Sequence, residues 1–401
     1  MSQSTKIQDA RIWDGHGEGY LQADQVIIED GRIAAIGNDL PSADIVISLG
    51  AKALLPGFID AHFHAYAADV NVPRLEKLPI SYLAHHARQS LEASLKRGFT
   101  TVRDAGGADW GLWKASEEGL FAGPRIFYAG RALSQTGGHG DPRDASFDPC
   151  GCRHKAILSE VVDGVDEARK AARETLRRGA HQIKIFVSGG VSSPTDPIWM
   201  PQFSSEEIRA IVDEARSRRS YVMAHAYTAD AVIHAVGNGV RSIEHGNLID
   251  EAAAELMAAN RAFLVPTLIA YDSLMRRGRD LGLPESAYPK LAEVGAHGLK
   301  AIDIARKKGV QIGFGTDLLG PLQDDQLLEF KLRSAIEKPV DTLRSATSVN
   351  ARLIGQKGQL GTVAVGALAD LVAFDGDPLS DLRCVFRDGP SLVVSRGVLS
   401  S

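Results

Sequence analysis

The sequence predicts an α/β fold: a (β/α)₈ TIM barrel carrying a small composite β-sandwich domain built from both termini. Three observations predict it. Strand-like and helical patterns alternate about eight times through the middle of the 401-residue chain. Both ends are β-like and are not helical. Polar residues stand at the C-terminal ends of otherwise apolar strands, which is where such a barrel places its catalytic face.

Residues 1–56 contain "ARIWDG", "QVIIEDGRIAAIG" and "DIVISLG", short β-like runs with Gly or Asp-Gly punctuation. They predict the N-terminal part of the β domain. Residues 57–355 predict the barrel. Its strands are read at "LLPGFIDAHFH", "TTVRDAG", "RIFYAG", "QIKIFVSGG", "YVMAHAY", "RSIEHG", "AFLVPTL" and "VQIGFGTD". Helical patterns such as "SYLAHHARQSLEASLKRG" and "SSEEIRAIVDEARSRR" fall between them, and several end at Gly. Residues 356–401 return to β character in "GTVAVGALADLVAFDGDP" and "CVFRDG". A doubly wound open sheet is the alternative, but eight roughly even units favour closure.

Composition excludes several classes of function. The net charge is −5, from 45 basic and 50 acidic side chains, and no basic block offers an electrostatic footprint for nucleic acid. No apolar run approaches the ~18 residues of a membrane span. The start, "MSQSTKIQDARIW", lacks the layout of a signal peptide. Three cysteines suit a reducing compartment without a disulfide framework. The expectation is a cytoplasmic protein acting on a small molecule.

The first strand ends in "GFIDAHFHA". Residues i and i+2 of a strand share a face, so His62 and His64 aim at one point. Later strand ends add Lys184, His225, His245 and Asp317. Four histidines and an aspartate are good ligands for a divalent metal. Each residue alone has a blander reading: Lys184 as a snorkelling rim lysine, Asp317 as a turn residue. The consistent placement of all six at strand ends favours a site. Among cations a lysine is pushed toward its neutral form. A neutral amine can take up carbon dioxide as a carbamate, whose two oxygens can bridge two metals.

These phrases together resemble the amidohydrolase superfamily over essentially the whole chain. "LLPGFIDAHFH", "KIFVSGG", "AHAY", "EHG" and "GTD" match its strand motifs, and "GTVAVGALADLVAFDGDP" resembles its returning β segment. "TTVRDAGG", "GGHGDPRD", "IKIFVSGGVSSPTDP" and "ARLIG" are similar to its imidazolonepropionase-like branch, which holds Xaa-Pro-type dipeptidases and amidases that cleave ochratoxin A. The spacings of 41 residues from Lys184 to His225 and 20 from His225 to His245 also suit that branch.

The resemblance implies two divalent metal ions, with zinc, manganese and cobalt all compatible and zinc the first expectation. His62 and His64 would hold the more buried ion, His225 and His245 the more exposed one, and carboxylated Lys184 would bridge them. Asp317 would ligate the buried ion and shuttle protons. The implied reaction is cleavage of the amide of dipeptides or N-acyl amino acids, ochratoxin A-type amides among them, by a metal-bridging hydroxide. Retained ligands argue against a non-catalytic scaffold and the lysine favours a binuclear hydrolase over a deaminase, both of which stay open as alternatives. A ring amidohydrolase or lactonase on the same barrel stays open. The branch also implies a homo-oligomer, with octamers common.

Two further residues join the expected site. His139 in "GGHGDPRD" is the candidate donor to the developing oxyanion, or a substrate contact; the alternative is a histidine satisfied inside its Gly-rich loop. Tyr227 shares the face of His225 and is the candidate for the substrate's carboxylate or carbonyl; the alternative is a rim tyrosine. Trp199, Met200 and Phe203 are candidates to cover the pocket, and Leu318 and Leu319 suggest that it is apolar. Cys150, Cys152 and His154 in "CGCRH" lack the usual zinc-site spacing. His85 and His86 are adjacent on a helix and do not share a face.

Overall fold

The computed structural model describes residues 3–143, 156–193 and 195–400. Cys150, Cys152 and His154 lie outside the described residues. Every strand expected in the middle of the chain is present: β1 (Phe58–Phe63), β2 (Phe99–Asp104), β3 (Arg125–Tyr128), β4 (Ile183–Phe186), β5 (Val222–Thr228), β6 (Ser242–Leu248), β7 (Phe263–Val265) and β8 (Gln311–Ile312). Their mutual pairings are all parallel. β1 and β2 are buried at every position. That is why these stretches read as continuous apolar runs, covered on both faces.

Helices follow the strands. α1 (Ile80–Lys96) comes after β1, α2 (Trp110–Glu117) after β2, α3 (Val165–Arg177) before β4 and α4 (Ser205–Ser217) after it. Then come α5 (Ala229–Gly237), α6 (Glu251–Ala259), α7 (Leu268–Leu281), α8 (Ala287–Gly295) and α9 (Gly298–Lys307). On α1, Leu83, Ala87, Leu91 and Leu95 recur every four residues and form the buried stripe. α4 starts at a capping box, in which Ser204 and Glu207 satisfy each other's backbone N–H. α7 stops at Gly282, whose φ of +88° is left-handed. No helix among the described residues is long and apolar enough to cross a membrane.

The strands divide between two sheets where one closed ladder was expected. β1, β2 and β3 form one. β4 to β8 form the other, extended on the β4 edge by Ala132–Ser134 and Ser159–Val161, neither of which the sequence suggested. One seam falls inside the third-strand region. Gly130 (φ +72°) breaks the strand after β3, and the chain resumes as Ala132–Ser134, which pairs with β4 through Leu133 and Ile185. The other seam separates β8 from β1. There Ala61 N–H donates to Phe314 O at 2.8 Å and Asp317 N–H to His62 O at 2.8 Å, without a regular ladder. The segment "GFGTD" carries two glycines, and Asp317 itself has φ +54°.

Asn350 ties this second seam. Its Nδ2 donates to Ile59 O (2.6 Å) and Phe314 O (2.8 Å), and its Oδ1 accepts from Phe314 N–H (3.1 Å). The side chain is fully buried. Asn350→Ala takes this partner from Ile59 O and Phe314 N–H, while Phe314 O keeps Ala61 N–H, and should cost at least about 2 kcal/mol of unfolding free energy. Urea unfolding would check this, and a loss under about 1 kcal/mol would show that the clamp is dispensable.

The chain ends meet in part as expected. A five-stranded sheet takes Arg11–Ile12 and Ala53–Pro56 from the N-terminal side and Leu371–Phe374, Leu392–Ser395 and Val398–Ser400 from the C-terminal side. A four-stranded sheet comes from the N-terminal segment alone, so only one of the two sheets is composite. Ile7, Val26, Ile33, Leu54, Leu371 and Val394 belong to one buried cluster that draws on both sheets.

Candidate active site

The six strand-end residues converge on one cavity of about 120 Å³. His62 lies on β1, His64 just beyond it, Lys184 on β4, His225 on β5, His245 on β6 and Asp317 past β8. Register does much of this. Phe186 pairs with His225 across β4–β5, and Ala226 with His245 across β5–β6. The imidazoles then run in a chain. Ring centroids are 5.3 Å apart for His64–His62, 5.0 Å for His62–His245 and 4.8 Å for His245–His225.

His62, His64 and Asp317 form the tightest group, with ligand atoms all within 4.8 Å of one another. Asp317 Oδ1 lies 3.4 Å from His62 Nε2 and 3.2 Å from His64 Nε2. Each histidine is tied at one ring nitrogen, leaving the other available. His62 Nδ1 meets Glu244 Oε2 at 2.7 Å, and His64 Nδ1 meets Gly106 O at 2.9 Å. His245 Nδ1 meets Thr267 Oγ1 at 2.8 Å, and His225 Nε2 meets Gly189 O at 3.1 Å. Imidazoles oriented in this way are the form in which histidine binds metal.

The charges suit the same end. Burial pushes His225 and His245 well below the ordinary histidine range, so both are neutral. Burial opposes the Asp317 charge, yet His62 and His64 hold its carboxyl well below the usual range. Burial lowers the Lys184 amine to about 8. Lys184 is 2% exposed and lines the cavity. A buried amine beside neutral imidazoles and a carboxylate fits a site built around divalent cations.

A supporting layer escaped the sequence reading. Glu244 is fully buried. It takes both oxygens to Arg103 Nη2 at 2.9 Å and accepts from Ser242 Oγ at 2.6 Å. Burial alone would raise its pKa, but Arg103 and His62 hold it at about 2. Strand alternation would turn Glu244 away from the face of His245. The φ of +72° at His245 breaks the alternation, so both neighbours reach inward. That backbone angle leaves no mark in the letters "EHG".

His139 lines the cavity, its ring stacked on His225 at 4.4 Å. Its Nδ1 meets Ser193 Oγ at 2.7 Å. Tyr227 lies behind the histidines and is not among the cavity-lining residues. It is 3% exposed, and its hydroxyl accepts from Tyr271 Oη at 3.3 Å. Of the residues expected to cover the pocket, none of Trp199, Met200 and Phe203 lines it. Phe203 packs in the core against α4, and Trp199 is 72% exposed. Leu319 does line the cavity, as do Val72, Pro73, Leu158 and Phe186, whereas Leu318 is buried among apolar residues beside it. Glu76 stands at the same wall.

A parallel α/β sheet system with histidines, a lysine and an aspartate gathered at its strand ends is an arrangement that could hold a divalent metal for hydrolytic chemistry. The chain belongs to the amidohydrolase family, whose pattern matches residues 53–399. It is therefore a hydrolase of amide or peptide bonds, in a family that is generally metal-dependent. It is 32% identical to the ochratoxinase of Aspergillus niger over 96% of this chain and 83% of that protein. A solved prolidase in complex with N-methylphosphonate-L-proline is 47% identical, covers 99% of each chain and superposes with a TM-score of 0.95. A Xaa-Pro dipeptidase with bound methionine in its active site is 31% identical, covering 99% of this chain and 100% of its own, at a TM-score of 0.88.

Proposed function

We propose that this protein is a binuclear metal-dependent amidohydrolase that cleaves the amide of dipeptides or N-acyl amino acids at the bond next to a carboxylate-bearing amine. The observation that carries this is the convergence of His62, His64, Lys184, His225, His245 and Asp317 on one cavity. Prolidase, dipeptidase and ochratoxinase relatives all support an amide whose amine side is an amino acid. On this reading residues 57–355 carry the catalysis, while 1–56 and 356–401 form the β domain.

His62, His64 and Asp317 would hold one ion and His225 and His245 the other, with carboxylated Lys184 between. Two such ions, zinc by first expectation, supply an acidified water and a Lewis acid for the carbonyl. The chain's own residues do the rest. Asp317 Oδ1 is shared between His62 and His64, so Oδ2 is the oxygen that accepts the proton and returns it to the leaving amine. His139, anchored at Nδ1, presents Nε2 to the carbonyl oxygen as its charge develops. Tyr227, edge-on to His225 at 4.6 Å and bonded to Tyr271, would support the histidine rings from behind the cavity. The apolar wall of Val72, Pro73, Leu158, Phe186 and Leu319 takes an apolar acyl or aminoacyl group.

The test is a hydrolysis panel on purified protein, with metal counted in the same sample. The panel holds Xaa-Pro, Xaa-Arg and Xaa-Phe dipeptides, N-acyl amino acids and ochratoxin A. About two metals per chain are expected, with amide cleavage that Lys184→Ala reduces by at least 10³-fold. A single metal with deamination, or ring opening without cleavage of linear amides, would overturn the proposal.

A further inference from the structure

The loop after β4 touches two of the site histidines. Gly189 offers its carbonyl to His225 Nε2 at 3.1 Å. Ser193 Oγ lies 2.7 Å from His139 Nδ1, and Asp196 Oδ2 lies 3.5 Å from the same atom. Gly190 lies flat against the His139 ring: a Cβ there would come within 2.0 Å of its Cε1. This loop is the wall that presses His139 onto His225.

What anchors that wall comes from about 100 residues away. Lys290 on α8 donates to Gly190 O at 3.0 Å, Ser193 O at 3.0 Å and Asp196 O at 2.7 Å. An ammonium has three N–H donors, and all three go to one loop. The three carbonyls point at a common centre, where their dipoles would repel one another without a cation. The same three residues touch His139, beside Phe186 and Gln202: Gly190 by its bare backbone, Ser193 by its hydroxyl and Asp196 by its carboxylate, which also accepts from Gly190 N–H at 2.9 Å.

We infer that Lys290 is a positioning residue of this active site: by gathering the Gly190, Ser193 and Asp196 carbonyls it sets His139 against His225 and toward the reacting carbonyl. The inference rests on the amide-hydrolysis reading for its catalytic consequence, but not for its geometry. A donor displaced by about 1 Å can cost up to ~10²-fold in rate. His139 is aimed at charge that develops only in the transition state, so its misplacement lowers kcat more than it raises KM.

The experiment compares wild type with Lys290→Met, which keeps the stem and loses the donors, and with Lys290→Arg, which restores donors in another geometry. Each is read by steady-state kinetics on a cleaved dipeptide, by metal content and by amide exchange at Gly190. Lys290→Met should lower kcat about 10- to 100-fold with KM within about threefold, at unchanged metal content and with faster exchange at Gly190. Lys290→Arg should recover part of both. Wild-type kcat in Lys290→Met overturns the inference whatever the exchange shows. Equal losses in kcat and metal content would also overturn it, because they mark general damage. If wild type cleaves no amide, the functional reading fails instead. Exchange at Gly190 and the His139 imidazole resonances then decide the positioning alone: shifted signals in Lys290→Met support it, and unshifted ones overturn it.

Discussion

Asp317→Asn should lower kcat by about 10³-fold or more while the fold survives. The carboxylate is the one acidic member of the tightest ligand group, between His62 and His64 at 3.4 and 3.2 Å. Asparagine keeps the shape but loses both the charge and the basic oxygen. It can neither take a proton nor return one to the leaving amine. Backbone placement should persist, because Asp317 N–H to His62 O is a main-chain bond that the substitution does not touch. The φ of +54° is also one that asparagine tolerates well. A circular dichroism melt within a few degrees of wild type, beside single-turnover kinetics, separates the two effects. Retention of more than about a tenth of wild-type kcat would remove Asp317 from the proton path.

Glu244→Gln should be the most damaging change that touches no substrate. Glu244 and Arg103 are both fully buried and joined at 2.9 Å. Removing one charge leaves the other buried without compensation, at about 3–5 kcal/mol. The same carboxylate fixes His62 through Nδ1 at 2.7 Å, and loss of such a partner typically weakens metal binding about 10- to 100-fold. Urea unfolding measures the first effect, and competition against a chelator measures the second. Ser242 Oγ and Arg103 should remain hydrogen-bonded to the new amide oxygen, so the protein should still fold at low temperature. Stability and metal retention both near wild type would show that the Arg103–Glu244–His62 chain is idle.

These two residues differ in how far the sequence revealed them. Asp317 was legible, because "GTD" ends an apolar strand and the other strand ends carry histidines. Glu244 was not, although it stands one position before His245. Strand periodicity assigns neighbours to opposite faces, and only the left-handed backbone at His245 brings both inward. Lys290 was equally silent, since its partners lie about 100 residues earlier and are backbone carbonyls, which every sequence has. Tyr227 shares a strand with His225 and packs edge-on to its ring, but its burial against Tyr271 depends on α7 packing over that strand. Trp199 and Phe203 are close in sequence and went to opposite fates, one to solvent and one to the core.

By itself the sequence determined the strand and helix alternation and the six residues that meet at the strand ends. Those follow from local periodicity: a two-residue repeat selects a face, and the strand's direction selects an end. Tertiary structure alone decided how each ligand is aimed. It supplied Glu244 for His62, Gly106 for His64, Thr267 for His245 and Gly189 for His225, with His62 and Glu244 182 residues apart. It also divided the strands between two sheets, through a glycine kink at Gly130 and a seam clamped by Asn350. The physical reason is common to all of these. A hydrogen bond needs two groups within about 3 Å, and that proximity is set by packing the whole chain and is not encoded in the spacing along it.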